Sequence, residues 1–259
     1  RLFEAEEAAT RMGADAGDGA VAQVDVTGVS AVAFDHVDSR AGDPQLHTHV
    51  VIANKVQTAL VGKWRSLDGR PIHAAMVALS EHYRAALADH LTRTLGLTWH
   101  QRDRGADRNA CWDLTGVPEE LLELFSSRAA AIGAVKDDLV AAYVAQHGHH
   151  PSARTVLKLR QQATLATRPD KAVTPLAALM TSWRDRAAAV LARPAEDWAA
   201  RLVQDGRRSQ QLLTADALSE ATVAGVAAQV VNVVGERRST WRRWNLHAET
   251  SRQLAGVRF

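Results

Sequence analysis

Residues 34–49 constrain this chain more than any other stretch, because they place histidines at a fixed spacing beside turn-forming residues. His47 and His49 lie two residues apart, at the start of an apolar run over residues 50–54 that is typical of a strand. Alternate side chains of a strand point to the same face, so the two imidazoles should project together from Cα atoms about 7 Å apart.

A third histidine precedes this pair by less than a dozen residues. His36 ends a second strand-like run, residues 32–36, and residues 38–45, which include Gly42 and Pro44, favour a turn. The segment is therefore predicted to fold as a hairpin that brings His36 alongside the pair.

Three neutral imidazoles that converge on one point can hold a divalent metal ion. A set of three protein ligands leaves coordination positions open, which is typical of catalytic rather than structural sites. We therefore predict a metal site formed by His36, His47 and His49. Two histidines at this spacing also occur as an ordinary hydrogen-bonded face of a strand, and the spacing alone does not choose between these interpretations.

The same segment resembles a known motif. Residues 43–49, followed by an apolar strand that ends at Ala53 and Asn54, resemble the metal-binding motif of the MobF-class (TrwC/TraI-like) conjugative relaxases, which belong to the HUH endonucleases. His36 falls where that family has its third ligand. The resemblance covers about residues 20 to 190, and the similar segments after the motif are residues 64–70, 80–83, 90–91, 116–121 and 125–128.

The resemblance implies an α+β fold: an antiparallel, ferredoxin-like, palm-type sheet with flanking helices, followed by a mostly helical extension. It implies an enzyme that nicks and rejoins single-stranded DNA at an origin of transfer through a phosphotyrosyl intermediate. It also implies a divalent ion (Mg, Mn or Zn) as cofactor, and relaxosome and conjugation-machinery proteins as further partners.

The nucleophile is the part of the family pattern that this sequence does not match. In the family, the nucleophilic tyrosines lie near the start of the protein, before the residues present here. We therefore expect this chain to be an internal piece of a longer protein, inactive in nicking by itself. Tyr83 and Tyr143 are each predicted to be helix-packing residues, and neither is assigned as the nucleophile.

Basic residues cluster around the histidines although the formal net charge is only +2. We predict that these residues bind DNA phosphates: Arg40, Lys55, Lys63 and Arg65. A second cluster, Arg102, Arg104 and Arg108, lies in the turn between two later strands. A solvated surface of mixed charge is the alternative for both clusters.

The composition excludes a membrane-spanning segment and a disulfide framework. No run of apolar residues approaches the length of a transmembrane helix, so no membrane insertion is predicted. Cys111 is the single cysteine, which fits a reducing cytoplasm.

Three ranges are predicted as domains: residues 1–115 as a partial relaxase α/β core, 116–205 as its helical part, and 206–259 as a linker and the start of a helicase-like region. Four local predictions accompany them. They are the end of a helix over residues 1–13, one helix from Pro118 toward His147, a linker at residues 206–209, and a helix from Thr214 to Val234.

Two other functions stay open at this point. A three-histidine metallohydrolase would use metal-bound water, but it needs a general base, and no Glu lies in or beside the histidine motif. A degenerate relaxase fragment would bind DNA without catalysis.

Overall fold

The computed structural model describes residues 8–12, 22–103, 109–170, 172–209 and 212–258. Its strands are β1 (Ala9–Met12), β2 (Ala22–Asp25), β3 (Ala31–Asp38), β4 (Pro44–Ile52), β5 (Val56–Gln57), β6 (Trp64–Arg65), β7 (Trp99–Arg102) and β8 (Cys111–Leu114). Its helices are α1 (Gly69–Leu95), α2 (Glu119–Leu124), α3 (Ser127–His147), α4 (Ala153–Ala166), α5 (Leu176–Leu191), α6 (Ala195–Ser209), α7 (Glu220–Arg237) and α8 (Arg243–Gln253).

The chain forms two compact units. The first unit comprises residues 1–33, 50–115 and 202–259, and the second comprises residues 34–49 and 116–201. The predicted α+β class is confirmed: neighbouring strands pair in sequence order as two-stranded sheets, the registers described are antiparallel, and the chain after β8 is mostly helical.

In the first unit, the small sheets are linked through single bridges. β1 pairs with β2, and the isolated antiparallel bridge between Val26 and Thr58 continues this ladder to the start of the β5–β6 hairpin. Thr10, Val56 and Thr58 are almost completely buried there. The Thr10 hydroxyl donates to the Ser66 carbonyl at 2.6 Å, so the buried polar group is satisfied.

Helix α1 supplies the core of the first unit through small side chains. Its start is capped by Asp68, whose carboxylate accepts from the Arg70 backbone N–H at 3.1 Å. Its buried residues recur on one face of the helix, and they are mostly alanines: Ala75, Ala78, Ala85, Ala88 and Thr92. Because alanine allows helices to approach closely, Trp244 and Ala248 of α8 pack directly onto this face.

The predicted linker at residues 206–209 is wrong, because α6 continues to Ser209. Gly206 is buried, and a Cβ added to it would lie 2.4 Å from the carbonyl oxygen of Gly96. Gly96 itself ends α1 in the left-handed conformation, with φ 76°. Gly206 is therefore required by close backbone contact, and not by chain flexibility.

The second unit contains the helices from α2 to α5 and most of the β3–β4 hairpin. Helix α3 packs against α4, and α2 packs against α5. Ser152 caps α4, since its hydroxyl accepts from the Thr155 N–H at 3.3 Å. The prediction of one helix from Pro118 to His147 is wrong, because the chain breaks between α2 and α3.

Two other local predictions are corrected. Residues 9–12 form a strand where the end of a helix was predicted, and residues 1–7 and 13 lie outside the described residues. Thr214 precedes only a short 3-10 turn, because Ser219 provides the side-chain cap of α7, which runs on to Arg237. The three predicted domain ranges stay a prediction.

Among the described residues, no helix combines the length and the apolar character that crossing a membrane requires.

The close contact at Gly206 generates a stability prediction. Gly206→Ala should lower the free energy of unfolding by about 1–3 kcal/mol, because the added methyl group meets the Gly96 carbonyl. The measurement is urea unfolding followed by circular dichroism.

Gly225 provides the matched control, since it is a helical glycine with nothing within 4 Å of the added Cβ. Gly225→Ala should raise the free energy of unfolding by up to about 1 kcal/mol, as helix propensity alone predicts. Equal stabilisation by both substitutions would contradict the contact argument.

Candidate metal centre

A tight turn of the hairpin between β3 and β4 sets the position of the three histidines. The Ser39 N–H donates to the Asp43 carbonyl at 2.9 Å, and the Gly42 N–H donates to the Ser39 carbonyl at 2.9 Å. The Ser39 hydroxyl also accepts from the N–H groups of Ala41 and Asp43, both at 3.2 Å. Gly42 has φ +76°, a conformation that glycine adopts without strain. The predicted turn is thus confirmed, and β4 begins at Pro44.

The three imidazoles converge as predicted. One possible ligand nitrogen from each of His36, His47 and His49 lies within 4.8 Å of the others. Ring centroids are 5.3 Å apart for His36 and His47, 4.7 Å for His36 and His49, and 4.9 Å for His47 and His49. His36 and His47 are half-buried and His49 is exposed. The cluster is therefore accessible from solvent.

The hydrogen bonding of His47 selects one tautomer of its ring. Its Nδ1 lies 2.7 Å from the Gln45 carbonyl oxygen. Because a carbonyl can only accept, Nδ1 carries the proton, and the lone pair of Nε2 is available to a ligand. A backbone carbonyl that orients a histidine in this way is typical of metal-ligating imidazoles.

The donor set fits a divalent ion by distance as well as by chemistry. The Nε2 atoms of His47 and His49 are 3.2 Å apart. Two nitrogen ligands of a single tetrahedral zinc ion, each about 2.05 Å from it, would be separated by about 3.3 Å. The observed separation is close to this value, and in the absence of an ion it is also a hydrogen-bond distance between the two rings.

Thr48, the residue between His47 and His49, forms a hydrogen bond on the opposite face of the hairpin. Its hydroxyl donates to the Asp35 carboxylate at 2.6 Å. Asp35 therefore faces away from the imidazoles, as strand alternation predicts. The Asp35 carboxylate is therefore not placed to accept a hydrogen bond from the three imidazoles.

Asp43 anchors the turn to the helices of the second unit. Its side chain is only 3% exposed, and its carboxylate accepts from the N–H of Ser127 at 3.0 Å and from the hydroxyl of Ser127 at 3.1 Å. Ser127 is the first residue of α3, so the carboxylate satisfies a helix N-terminus. This capping explains why the chain starts a new helix there.

Two residues of α5 complete the anchor. The Arg186 guanidinium donates to the Asp43 carboxylate at 3.1 Å and to the Leu124 carbonyl at 3.0 Å, and it lies over the Phe125 ring at 4.8 Å. The Trp183 indole N–H donates to the Gly42 carbonyl at 2.7 Å. No pattern in the sequence indicates that Asp43, Trp183 and Arg186 meet in this anchor. The only sequence signal was the polar turn residue Asp43 itself.

The basic residues predicted to bind DNA are distributed over both units. Arg40 is exposed at the hairpin turn in the second unit. Lys55 and Lys63 are exposed and Arg65 is half-buried in the first unit. Their role in DNA binding stays a prediction.

The second basic cluster is only partly described. Arg102 forms an ion pair with Asp113 at 2.6 Å, which compensates its charge. Arg104 and Arg108 lie outside the described residues.

The two tyrosines differ from one another. Tyr143 packs on its own helix, since its ring stacks on His147 at 4.0 Å, and that prediction is confirmed. Tyr83 is 65% exposed on α1, so its predicted packing role is wrong.

Two tryptophans of the first unit also differ in exposure. The Trp64 side chain is 62% exposed, whereas Trp99 is half-buried and its indole N–H donates to the Thr92 hydroxyl.

Comparison with known proteins identifies the relatives of this chain. The family model described as TrwC relaxase matches residues 1–190. The multifunctional conjugation protein TraI of Escherichia coli is 34% identical over 108 residues, which cover 38% of this chain and 6% of that protein. The corresponding protein of Escherichia coli strain K12 is 31% identical over a stretch of the same length.

Solved structures of the conjugative relaxase TrwC are also similar. A metal-free complex with OriT DNA has a TM-score of 0.54 and 30% identity, and the match covers 73% of this chain and 60% of that one. A copper-bound complex has a TM-score of 0.56 and 29% identity, and the match covers 73% and 58% of the two chains. The chain thus spans about three fifths of the TrwC structures and a small fraction of TraI.

Removal of the Asp43 carboxylate should destabilise the second unit. Asp43→Ala leaves the Ser127 N–H and Arg186 without their buried acceptor, so the free energy of unfolding should fall by about 2–4 kcal/mol. Urea unfolding measures this loss.

Asp138→Asn, at an exposed position of α3, is the matched control and should change stability by less than about 0.5 kcal/mol. If both substitutions had equally small effects, Asp43 would not be an anchor.

Proposed function

Since this chain belongs to the TrwC relaxase family, whose model matches residues 1–190, we propose that it is the metal-binding portion of a conjugative DNA relaxase. The whole protein would nick and rejoin single-stranded DNA at an origin of transfer through a phosphotyrosyl intermediate. The observation that carries the proposal is the convergence of His36, His47 and His49 on one hairpin.

The proposed cofactor is one divalent ion (Mg, Mn or Zn) held by these three histidines. Support comes from the ligand distances and from the similar TrwC structures, some of which are copper-bound or metal-bound. When bound, such an ion polarises a non-bridging phosphate oxygen as a Lewis acid.

The residues of this chain would position the reacting phosphate. The Gln45 carbonyl holds the His47 ring in one orientation, and the bond between Thr48 and Asp35 braces the strand from its other face. Asp43 fixes the turn on α3 and α5, which limits motion of the ligand set. Rigid ligands reduce the reorganisation that substrate binding would otherwise require.

The proposed substrate is single-stranded DNA, as in the TrwC complexes with OriT DNA. Arg40, Lys55, Lys63 and Arg65 would neutralise phosphates. The exposed Trp64 ring beside Lys63 offers a surface for base stacking.

The nucleophilic tyrosine is proposed to lie outside this chain. The Tyr143 ring is occupied in stacking on His147, and Tyr83 projects from the exposed face of α1 in the first unit. Attack by a tyrosine hydroxyl on phosphorus would leave a 5′-phosphotyrosyl ester and a free 3′-hydroxyl, so the strand can be rejoined. Relaxosome and conjugation-machinery proteins are the proposed further partners, in the cytoplasm, where plasmid DNA is found.

A hydrolase that uses metal-bound water is less well supported. Such an enzyme needs a general base beside the water, and the carboxylate next to His36 in sequence, Asp35, bonds Thr48 on the opposite face. We therefore retain phosphoryl transfer as the proposed reaction class.

Metal titration tests the site directly. The chain should bind one Mn²⁺ or Zn²⁺ ion, and replacement of both His47 and His49 by alanine should abolish this binding, because one imidazole cannot hold the ion alone. Isothermal titration calorimetry measures both the stoichiometry and the affinity.

His147 and His149 provide a control pair with the same sequence spacing at the end of α3. Their ring centroids are 6.2 Å apart, and they do not form part of the three-histidine cluster. Substitution of this pair should leave the titration unchanged. If the variant that lacks His47 and His49 bound the metal ion as tightly as the original chain, these histidines would not be the ligands.

The salt dependence of DNA binding tests the basic residues. The logarithm of affinity for a labelled oligonucleotide should fall linearly with the logarithm of salt, with a slope of about −0.7 per phosphate contact. Lys63→Ala combined with Arg65→Ala should flatten the slope by about 1.4 while metal binding persists. Fluorescence anisotropy provides the measurement.

Arg201→Ala combined with Arg208→Ala removes the same charge from two exposed positions of α6 and should leave the slope unchanged. A slope that is the same in all three proteins would mean that Lys63 and Arg65 do not contact DNA phosphates.

A further inference from the structure

A second basic surface lies in the first unit, at the start of α8. We name it the arginine cleft, formed by Arg70, Arg238, Trp241, Arg242, Arg243 and Trp244. Most of these residues lie beyond residue 190, where the family match ends.

The cleft consists of two adjoining hollows that share Ala74, Arg242 and Trp244. Each hollow has a volume of about 540 Å³, within the range of ligand-binding clefts. Among the described residues that line them, four are arginines and none is acidic. The cleft is therefore a concentrated positive surface.

Trp244 forms the floor of the cleft and fixes the position of one arginine. The residue is 7% exposed and packs into the core with Ala75 and Ala78. The Arg243 guanidinium lies over its ring at 4.4 Å from the centroid. This cation–π contact reduces the freedom of the guanidinium before any ligand arrives.

The charges of the cleft are unevenly compensated. Arg70 is paired with Asp68 at 2.7 Å, whereas in the described part of the chain no ion pair involves Arg238 or Arg242. Both are exposed. Cations near a helix start also oppose the helix dipole, so the stability of α8 does not explain the presence of Arg242.

Trp241 adds a surface for stacking. It lies between Thr240 and Arg242 on the rim of the cleft, and it is 45% exposed. An exposed indole among arginines combines the two features by which proteins bind single strands, namely phosphate neutralisation and base stacking.

We propose that the arginine cleft is a second binding site for single-stranded nucleic acid, in which Arg238 and Arg242 bind phosphates and a base stacks on Trp241. This proposal rests on the proposed relaxase function, and it means that the protein would contact additional nucleotides of the transferred strand. It does not require the three histidines. An acidic peptide would use the arginines but would leave the indole without a stacking partner, so a nucleic acid is the better match.

Photo-crosslinking locates the bound strand. The probe is an oligothymidylate of about 12 nucleotides that carries 5-iodouracil, comparable to the sites of about 4 to 16 nucleotides found in single-strand binding folds. After irradiation of the chain with this probe, mass spectrometry should identify Trp241 as a crosslinked residue. A crosslink pattern that lacks Trp241 would overturn the proposal.

A variant of the histidine hairpin separates this site from the proposed function. With His47, His49, Lys63 and Arg65 all replaced by alanine, the crosslink at Trp241 should persist even though the metal site is lost. Disappearance of the crosslink in that variant would show that the cleft is not an independent site.

Measurements of affinity for the oligonucleotide provide a second test. They use substitutions at exposed positions, which should leave the core intact. Arg238→Gln with Arg242→Gln should flatten the salt slope by about 1.4. Trp241→Ala should weaken binding by about 5- to 10-fold, at the low end for stacking because the ring is half-exposed. The Arg201→Ala and Arg208→Ala pair serves again as the control.

Two results would overturn the assignment to nucleic acid. One is a salt slope and affinity unchanged by these substitutions. The other is competition by polyglutamate as effective as competition by the oligonucleotide, which would indicate a general anion surface.

Discussion

The buried carboxylate of Asp43 is the interaction on which the candidate site depends. A carboxylate removed from water is costly unless charge and hydrogen bonds compensate it, and here Ser127 and Arg186 supply both. Because Asp43 lies in the turn between the two ligand-bearing strands, its partners also determine where that turn lies on α3 and α5. The histidines are positioned by a hairpin whose turn is held at two adjacent residues, Asp43 and Gly42.

The convergence of the three histidines could be predicted from the sequence, and the anchor of their hairpin could not. His36, His47 and His49 lie within one hairpin, so strand alternation and turn chemistry were sufficient to bring them together. Asp43 meets Ser127 and Arg186 across separations of 84 and 143 residues. Such long-range partners leave no local pattern in a single sequence.

The errors in the fold prediction have the same origin. The break between α2 and α3 coincides with a cap supplied from the distant hairpin, so local helix propensity suggested one helix where two exist. Glycine favours linkers, so residues 206–209 are predicted as one, whereas Gly206 lies inside a helix and against the distant Gly96. The hairpin of β3 and β4 depends on near neighbours and was predicted correctly, whereas the strand at residues 9–12 was predicted as the end of a helix.

The packing of α8 bears on how the arginine cleft is held in place. Trp244 and Ala248 belong to the same core cluster as Ala75 and Ala78 of α1, a helix that lies within the family match. The segment after residue 206 therefore contributes to the core of the first unit, although its sequence alone suggested a linker and a new region. Because Trp244 is both a core residue and the floor of the cleft, the side chains around it share the rigidity of that core. A surface held in this way can bind a strand with a smaller loss of conformational entropy than a flexible basic tail would incur.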